Sequence, residues 1–105
     1  MKYDTAEMRA TRGAKRLDKK DPGWALEGQE RSIDLTKLNV NSSSDCPLGQ
    51  RFGNSREGEG RIRPWWWFFL PQDWVVSFGF LPISMEDRED LNRAWTRQIL
   101  QRRRD

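Results

Sequence analysis

Histidine is absent from the 105 residues and cysteine occurs once, as Cys46. These two scarcities exclude a Ser/His/Asp triad, a Cys/His nucleophile pair, a Cys/His zinc site and an internal disulfide. The lone thiol suits a reducing compartment, because a secreted domain with little core more often carries paired cysteines. Apolar residues are also in short supply, at 35% of the chain, while charged residues reach 33%; ordinary globular chains hold roughly 25% charged residues. No run approaches the ~20 apolar residues of a membrane span, and Met1 is followed by Lys2, Tyr3 and Asp4 rather than by an apolar leader. The expectation is a soluble, cytoplasmic chain of modest stability, with one small domain over residues 1–105 and no membrane partner.

What charge there is lies unevenly. The formal net charge is +3, and residues 1–20 carry seven Lys or Arg against three Asp or Glu. Lys15, Arg16, Lys19 and Lys20 close a first helical segment, and Arg102, Arg103 and Arg104 close the last one. Such residues neutralise phosphates if they track a groove. They equally complement the negative pole of a helix C-terminus in water. No zinc finger, glycine-rich RNA-binding signature or clear helix-turn-helix accompanies them, so nucleic acid ranks below protein as a partner.

Helix signals dominate the chain. Asp4 as N-cap, Glu7 at the capping-box position, and Ala6, Ala10, Ala14 and Leu17 at helical spacing predict a helix over residues 4–20. Gly13 in its interior costs about 1 kcal/mol relative to Ala. Asp21, Pro22 and Gly23 end it in a turn, after which Trp24 folds back onto it. Ile33, Leu35, Leu38 and Val40 fit neither helical nor strand period and predict a short helical turn opened by Asp34. Residues 46–52 read as a short helix with Pro47 in its first turn, Leu48 and Phe52 on one face and Gly53 at its end. Residues 54–63, with two glycines, alternating charges and Ile62 alone apolar, predict an exposed flexible loop. Trp74, Val75 and Phe78 mark a further short helix over 73–78, closed by Gly79. Ser84 caps a final helix over 85–103 whose buried stripe is Leu91, Ala94, Trp95 and Ile99. The fold class is therefore mainly α: a small single-domain bundle of one long N-terminal helix, one long C-terminal helix and short helices between, with an irregular aromatic-rich middle segment.

That middle segment places Trp65, Trp66, Trp67, Phe68, Phe69 and Leu70 between Pro64 and Pro71. Helical or extended, such a run distributes its side chains over more than one face, so one small core does not take them all. Two readings stand. The rings compensate for a sparse interior, each burying about 150 to 250 Å², or two or three of Trp65, Trp66, Trp67, Phe68 and Phe69 stay exposed as an anchor patch for a protein partner, since Trp is enriched at interface hot spots. Pairing of the run with a second copy of the chain satisfies the same demand.

Catalysis has little to build on. Glu57 and Glu59 lie in the expected loop without a cleft to separate their pKa values, and Gly58 and Gly60 do not open a strand-to-helix phosphate loop. No catalytic residue, metal ligand or cofactor is assigned, and the chain is read as non-enzymatic. Cys46 is read as a small buried residue, the alternative being a thiol whose pKa is lowered at a short helix N-terminus.

The ordered segments Arg12-Gly13-Ala14 with Leu17-Asp18, Pro22-Gly23-Trp24, Ile33-Asp34-Leu35 with Leu38, Cys46-Pro47-Leu48-Gly49-Gln50 with Phe52-Gly53, and Gly79-Phe80 before the Trp95 helix resemble small proteins of actinobacterial phages, chiefly those infecting mycobacteria and relatives. The resemblance spans most of the chain except residues 54–69. Members of that group often have a second cysteine just before the one matching Cys46, in the neighbourhood that Ser44 occupies here, so any metal or redox role of the paired form does not carry over. The resemblance implies a phage origin and the cytoplasm of the infected bacterium as the setting, and it brings no activity with it; with the aromatic run as contact surface, the chain is read as a phage accessory protein that binds a host or phage protein.

Overall fold

The computed structural model describes residues 5–62 and 73–104. They form five helices: α1 (Ala6–Lys20), α2 (Pro47–Phe52), α3 (Ser55–Ile62), α4 (Asp73–Ser77) and α5 (Met85–Arg104), with no strand among the described residues. The fold is mainly α, with two long helices and short ones between, as the spacing of apolar positions and caps predicts. The aromatic run at residues 65–70 lies outside the described residues.

The cap of α1 falls one residue later than expected. Thr5 takes the position, its Oγ1 accepting from the Met8 backbone N–H at 3.2 Å, and Glu7 turns to Arg97 instead of closing a capping box. Ala10, Ala14 and Leu17 are fully buried. Gly13 lies among them for a steric reason that helix propensity does not register. A Cβ there would stand 2.1 Å from the Phe78 carbonyl oxygen and 2.8 Å from the Trp95 ring. The missing side chain is what lets α1 close on the chain leading into α5.

Ser84 opens α5, its Oγ accepting from the Asp87 N–H at 3.2 Å. Leu91, Ala94, Trp95 and Ile99 are buried as their spacing requires. Helices α1 and α5 run in the same direction: Arg9 meets Asp87 near both starts and Asp18 meets Arg102 near both ends. Trp95 sits at the middle of the core. Its Nε1 donates to the Gly79 carbonyl at 2.7 Å, Trp24 meets it edge-on at 5.7 Å, and Phe80 stacks on it at 5.4 Å. Gly79 has φ of +76°, and a Cβ there would also lie 2.9 Å from the Arg9 backbone. Backbone conformation and close approach thus both demand glycine.

Residues 54–63, expected as an exposed flexible loop, prove different over most of their length: Ser55–Ile62 is helix α3. Asn54 Oδ1 accepts from the Glu57 N–H at 2.9 Å and opens it. A Cβ on Gly58 would lie 2.6 Å from Leu48 Cβ and 2.9 Å from the Phe52 ring, so that glycine seats α3 directly on α2. Ile62 then completes the core, fully buried. Helix α2 has Pro47 in its first turn and Gly53 closing it, as expected, while Cys46, expected as its first residue, is its N-cap.

Between α1 and α2 the chain is irregular but pinned. Asp34 Oδ1 accepts from the Thr36 N–H at 2.9 Å and the Lys37 N–H bonds the Asp34 carbonyl at 3.1 Å, forming the short turn that Asp34 opens. Gln50 of α2 ties that turn down, accepting from the Asp34 N–H at 2.6 Å and donating to the Asp45 carbonyl at 2.9 Å. No helix of the described residues is long and apolar enough to cross a membrane.

Candidate functional site

Along its seam with α5, helix α1 presents Glu7 and Asp18 to Arg97 and Arg102, and Arg9 to Asp87. Glu7 accepts from Arg97 Nε and Nη2, both at 2.9 Å. Asp18 accepts from Arg102 Nε at 2.9 Å and Nη2 at 2.7 Å, and also from Trp24 Nε1 at 2.8 Å. These bidentate hydrogen bonds, from Arg97 and Arg102 respectively, hold both carboxyls below their ordinary pKa.

Toward α3 and α4 the same helix presents Arg12 and Arg16, one turn apart. Arg16 Nε donates to the Ile62 carbonyl at 2.6 Å, at the end of α3. Arg12 Nη1 donates to the Ser77 carbonyl at 2.6 Å and to Ser77 Oγ at 2.9 Å, at the end of α4. The two elements that flank residues 63–72 are thereby both fastened to α1, with Gly13 between the fastenings allowing the close approach. Sequence reasoning missed this function of Arg12 and Arg16. The signal available was an i,i+4 arginine pair bracketing a glycine on a helix otherwise lined with alanine.

The terminal arginines are engaged as well. Arg102 lies over the Trp24 ring at 5.5 Å and donates to Gln98 Oε1 at 2.8 Å, besides binding Asp18. Arg103 donates to the carbonyls of Ala25 at 2.8 Å and Ile33 at 2.6 Å. Read from sequence as a solvated or phosphate-facing tip, Arg102 and Arg103 instead knit α5 to α1 and to the irregular segment beyond it. The physical reason is that carbonyls outside helices need donors, and a planar guanidinium offers several. Lys15, Lys19, Lys20 and Arg104 are exposed.

At the other end of the helix pair, Arg9 is only 2% exposed. Its Nη1 donates to Asp87 Oδ2 at 3.0 Å and its Nη2 to Oδ1. Asp87 Oδ2 accepts the Ile83 N–H at 2.8 Å. Burial pushes the Asp87 carboxyl up, but the bonds from Arg9 and Ile83 outweigh it and leave the pKa below the ordinary value.

The residues weighed for chemistry are scattered. Cys46 is buried, and its Sγ accepts from the Gly49 N–H at 3.2 Å. Desolvation raises its pKa, against the activated-thiol alternative. Glu57 is exposed, whereas Glu59 is half-buried and desolvation raises its pKa. Among the described residues no group of three or more His, Cys, Asp or Glu is placed to hold a metal ion, and no buried side-chain polar atom lacks a hydrogen-bond partner. Trp65, Trp66, Trp67, Phe68 and Phe69 lie outside the described residues, between the two points that Arg12 and Arg16 secure. Comparison of the chain with protein-family models, with curated proteins and with solved structures finds no match.

Proposed function

We propose that this chain is a small non-enzymatic protein-binding module, a phage accessory protein in keeping with its sequence resemblance, which contacts a host or phage protein through Trp65, Trp66, Trp67, Phe68 and Phe69. The observation that carries this is the fastening of both flanks of the run, Ile62 by Arg16 and Ser77 by Arg12, to one rigid helix. Fixing the flanks beforehand lowers the ordering entropy that binding must otherwise overcome. The described residues also supply an aromatic core of their own in Trp24, Trp74, Phe80 and Trp95. Two or three exposed rings of about 150 to 250 Å² each bring about 300 to 750 Å², much of the ~800 Å² that one partner brings to an interface of standard size.

The test is affinity capture from host lysate with the wild type beside a Trp66→Ala/Trp67→Ala double variant, followed by direct binding to whatever the wild type alone retains. The variant should lose the partner while its Tm stays within a few degrees. A Tm fall of more than about 12 °C would assign the rings to the core, since large-to-small core aromatics cost about 3 to 5 kcal/mol and each kcal/mol is worth about 4 to 8 °C at this size. That result, or equal retention by both proteins, overturns the proposal.

A further inference from the structure

We infer that the end of the molecule where α1 and α5 both finish is a binding face for the phosphodiester backbone of nucleic acid, formed by Lys15, Lys19, Lys20 and Arg104 and independent of the aromatic run. The inference starts from which cations the fold consumes. At this end three carboxylates each face an arginine: Asp18 meets Arg102 at 2.7 Å, Asp21 meets Arg51 at 2.8 Å, and Glu27 lies 3.9 Å from Arg103. The pairing offsets those three acids, while Lys15, Lys19, Lys20 and Arg104 are exposed. Lys15 and Lys19 share the outward side of α1, one turn and about 6 Å apart.

Between α1 and α5 runs a groove of about 530 Å³ lined by Thr11, Lys15, Asp18, Gln98, Gln101 and Arg102. Gln98 is occupied, donating to Thr11 Oγ1 at 2.9 Å and accepting from Arg102. Gln101 is exposed beside Lys15. Lys15 and Gln101 are side chains of the kind that contacts phosphate and sugar oxygens, while Thr11 Oγ1 donates to the Glu7 carbonyl at 2.7 Å and the Asp18 carboxylate is held by Arg102. No aromatic or large aliphatic residue lines this groove to serve as the wedge that attachment to a lipid surface uses. The two helix C-termini oppose an anion with about half a charge each, about one charge together against the four exposed cations Lys15, Lys19, Lys20 and Arg104. The contacts carry no base-reading element, so binding is expected to be independent of sequence.

Fluorescence anisotropy with a labelled DNA duplex, titrated across salt concentrations, tests this for the wild type and a Lys15→Gln/Lys19→Gln/Lys20→Gln triple variant. Wild type should bind at low salt. The variant should lose affinity, and its slope of log K against log salt should be flatter by about 2.7, at about 0.9 per lost phosphate contact. Arg56→Gln, which removes an exposed cation of α3, should leave the slope unchanged, and circular dichroism should show all proteins folded. Failure of the wild type to bind at about 50 mM salt, an unaltered slope in the triple variant, or tighter binding to anionic phospholipid vesicles than to the duplex would each overturn the inference. The Trp66→Ala/Trp67→Ala variant should bind DNA like the wild type.

Discussion

One substitution, made at two places, separates helix propensity from packing in this protein. Gly→Ala in a helix interior is worth about 1 kcal/mol in favour of Ala when nothing else changes. At Gly60, on the exposed side of α3, no atom lies within 4 Å of where the new Cβ would sit, so Gly60→Ala should realise most of that gain. At Gly13 the new methyl would stand 2.1 Å from the Phe78 carbonyl oxygen and 2.8 Å from the Trp95 ring. A backbone oxygen does not rotate aside as a long side chain does, so α1 must back away from the α4–α5 connection. Overpacking of this kind costs about 1 to 3 kcal/mol. Shifting that connection also strains the Trp95–Gly79 hydrogen bond, worth about 1 kcal/mol. Set against the propensity gain, the net loss is about 1 to 3 kcal/mol. For a loss near 2 kcal/mol, a domain this size should drop about 8 to 16 °C in Tm. Thermal and urea unfolding followed by far-ultraviolet circular dichroism will read both variants. A Gly13→Ala protein as stable as its parent refutes the close approach of α1, whatever Gly60→Ala does.

Asp87→Ala removes two charge-assisted hydrogen bonds from Arg9, which is 2% exposed, and should cost about 1.5 to 3 kcal/mol in urea unfolding; a loss below about 1 kcal/mol contradicts the buried pair. Asp87, Asp18 and Glu7 have folded pKa values below their ordinary 3.8, 3.8 and 4.5. Their contribution is therefore complete above those ordinary values and lost as pH falls through the lower, folded ones; stability should change little from pH 7 to 5 and drop below about 4, and more shallowly in Asp87→Ala. The Cys46 thiol, buried and raised in pKa by desolvation, should react with a disulfide reagent at pH 7 only as fast as the protein opens; immediate labelling of native protein contradicts that burial.

Helices α1, α2, α4 and α5 were legible because their caps and apolar stripes lie within a few residues of one another. Thr5 for Asp4 is the kind of one-residue displacement that adjacent cap-forming residues produce. Helix α3 was not legible, since Gly58 and Gly60 lower its propensity and Ile62 is its lone apolar residue. Yet Gly58 is the point where α3 meets Leu48 and Phe52, a contact that exists only once α2 is in place. The arginines show the same limit from the electrostatic side. Local charge placed Arg102 and Arg103 at a basic helix end, but their partners are Asp18 and the carbonyls of Ala25 and Ile33, far away in sequence and without a motif of their own. Lys15, Lys19 and Lys20 were visible as charge; that Asp18 and Asp21 beside them are bound by Arg102 and Arg51 is a property of the folded chain.

The Asp18–Arg102 bond joins positions 84 residues apart, and the shared seam of α1 and α5 has consequences for synthesis. Ribosomes add about 5 to 20 residues per second, so α1 waits several seconds for the helix that covers it. Until α5 is made, Ala10, Ala14 and Leu17 lack the cover that Leu91, Ala94, Trp95 and Ile99 supply in the finished core. Docking then depends on long loop closure, which slows folding relative to bundles whose neighbours are adjacent in sequence.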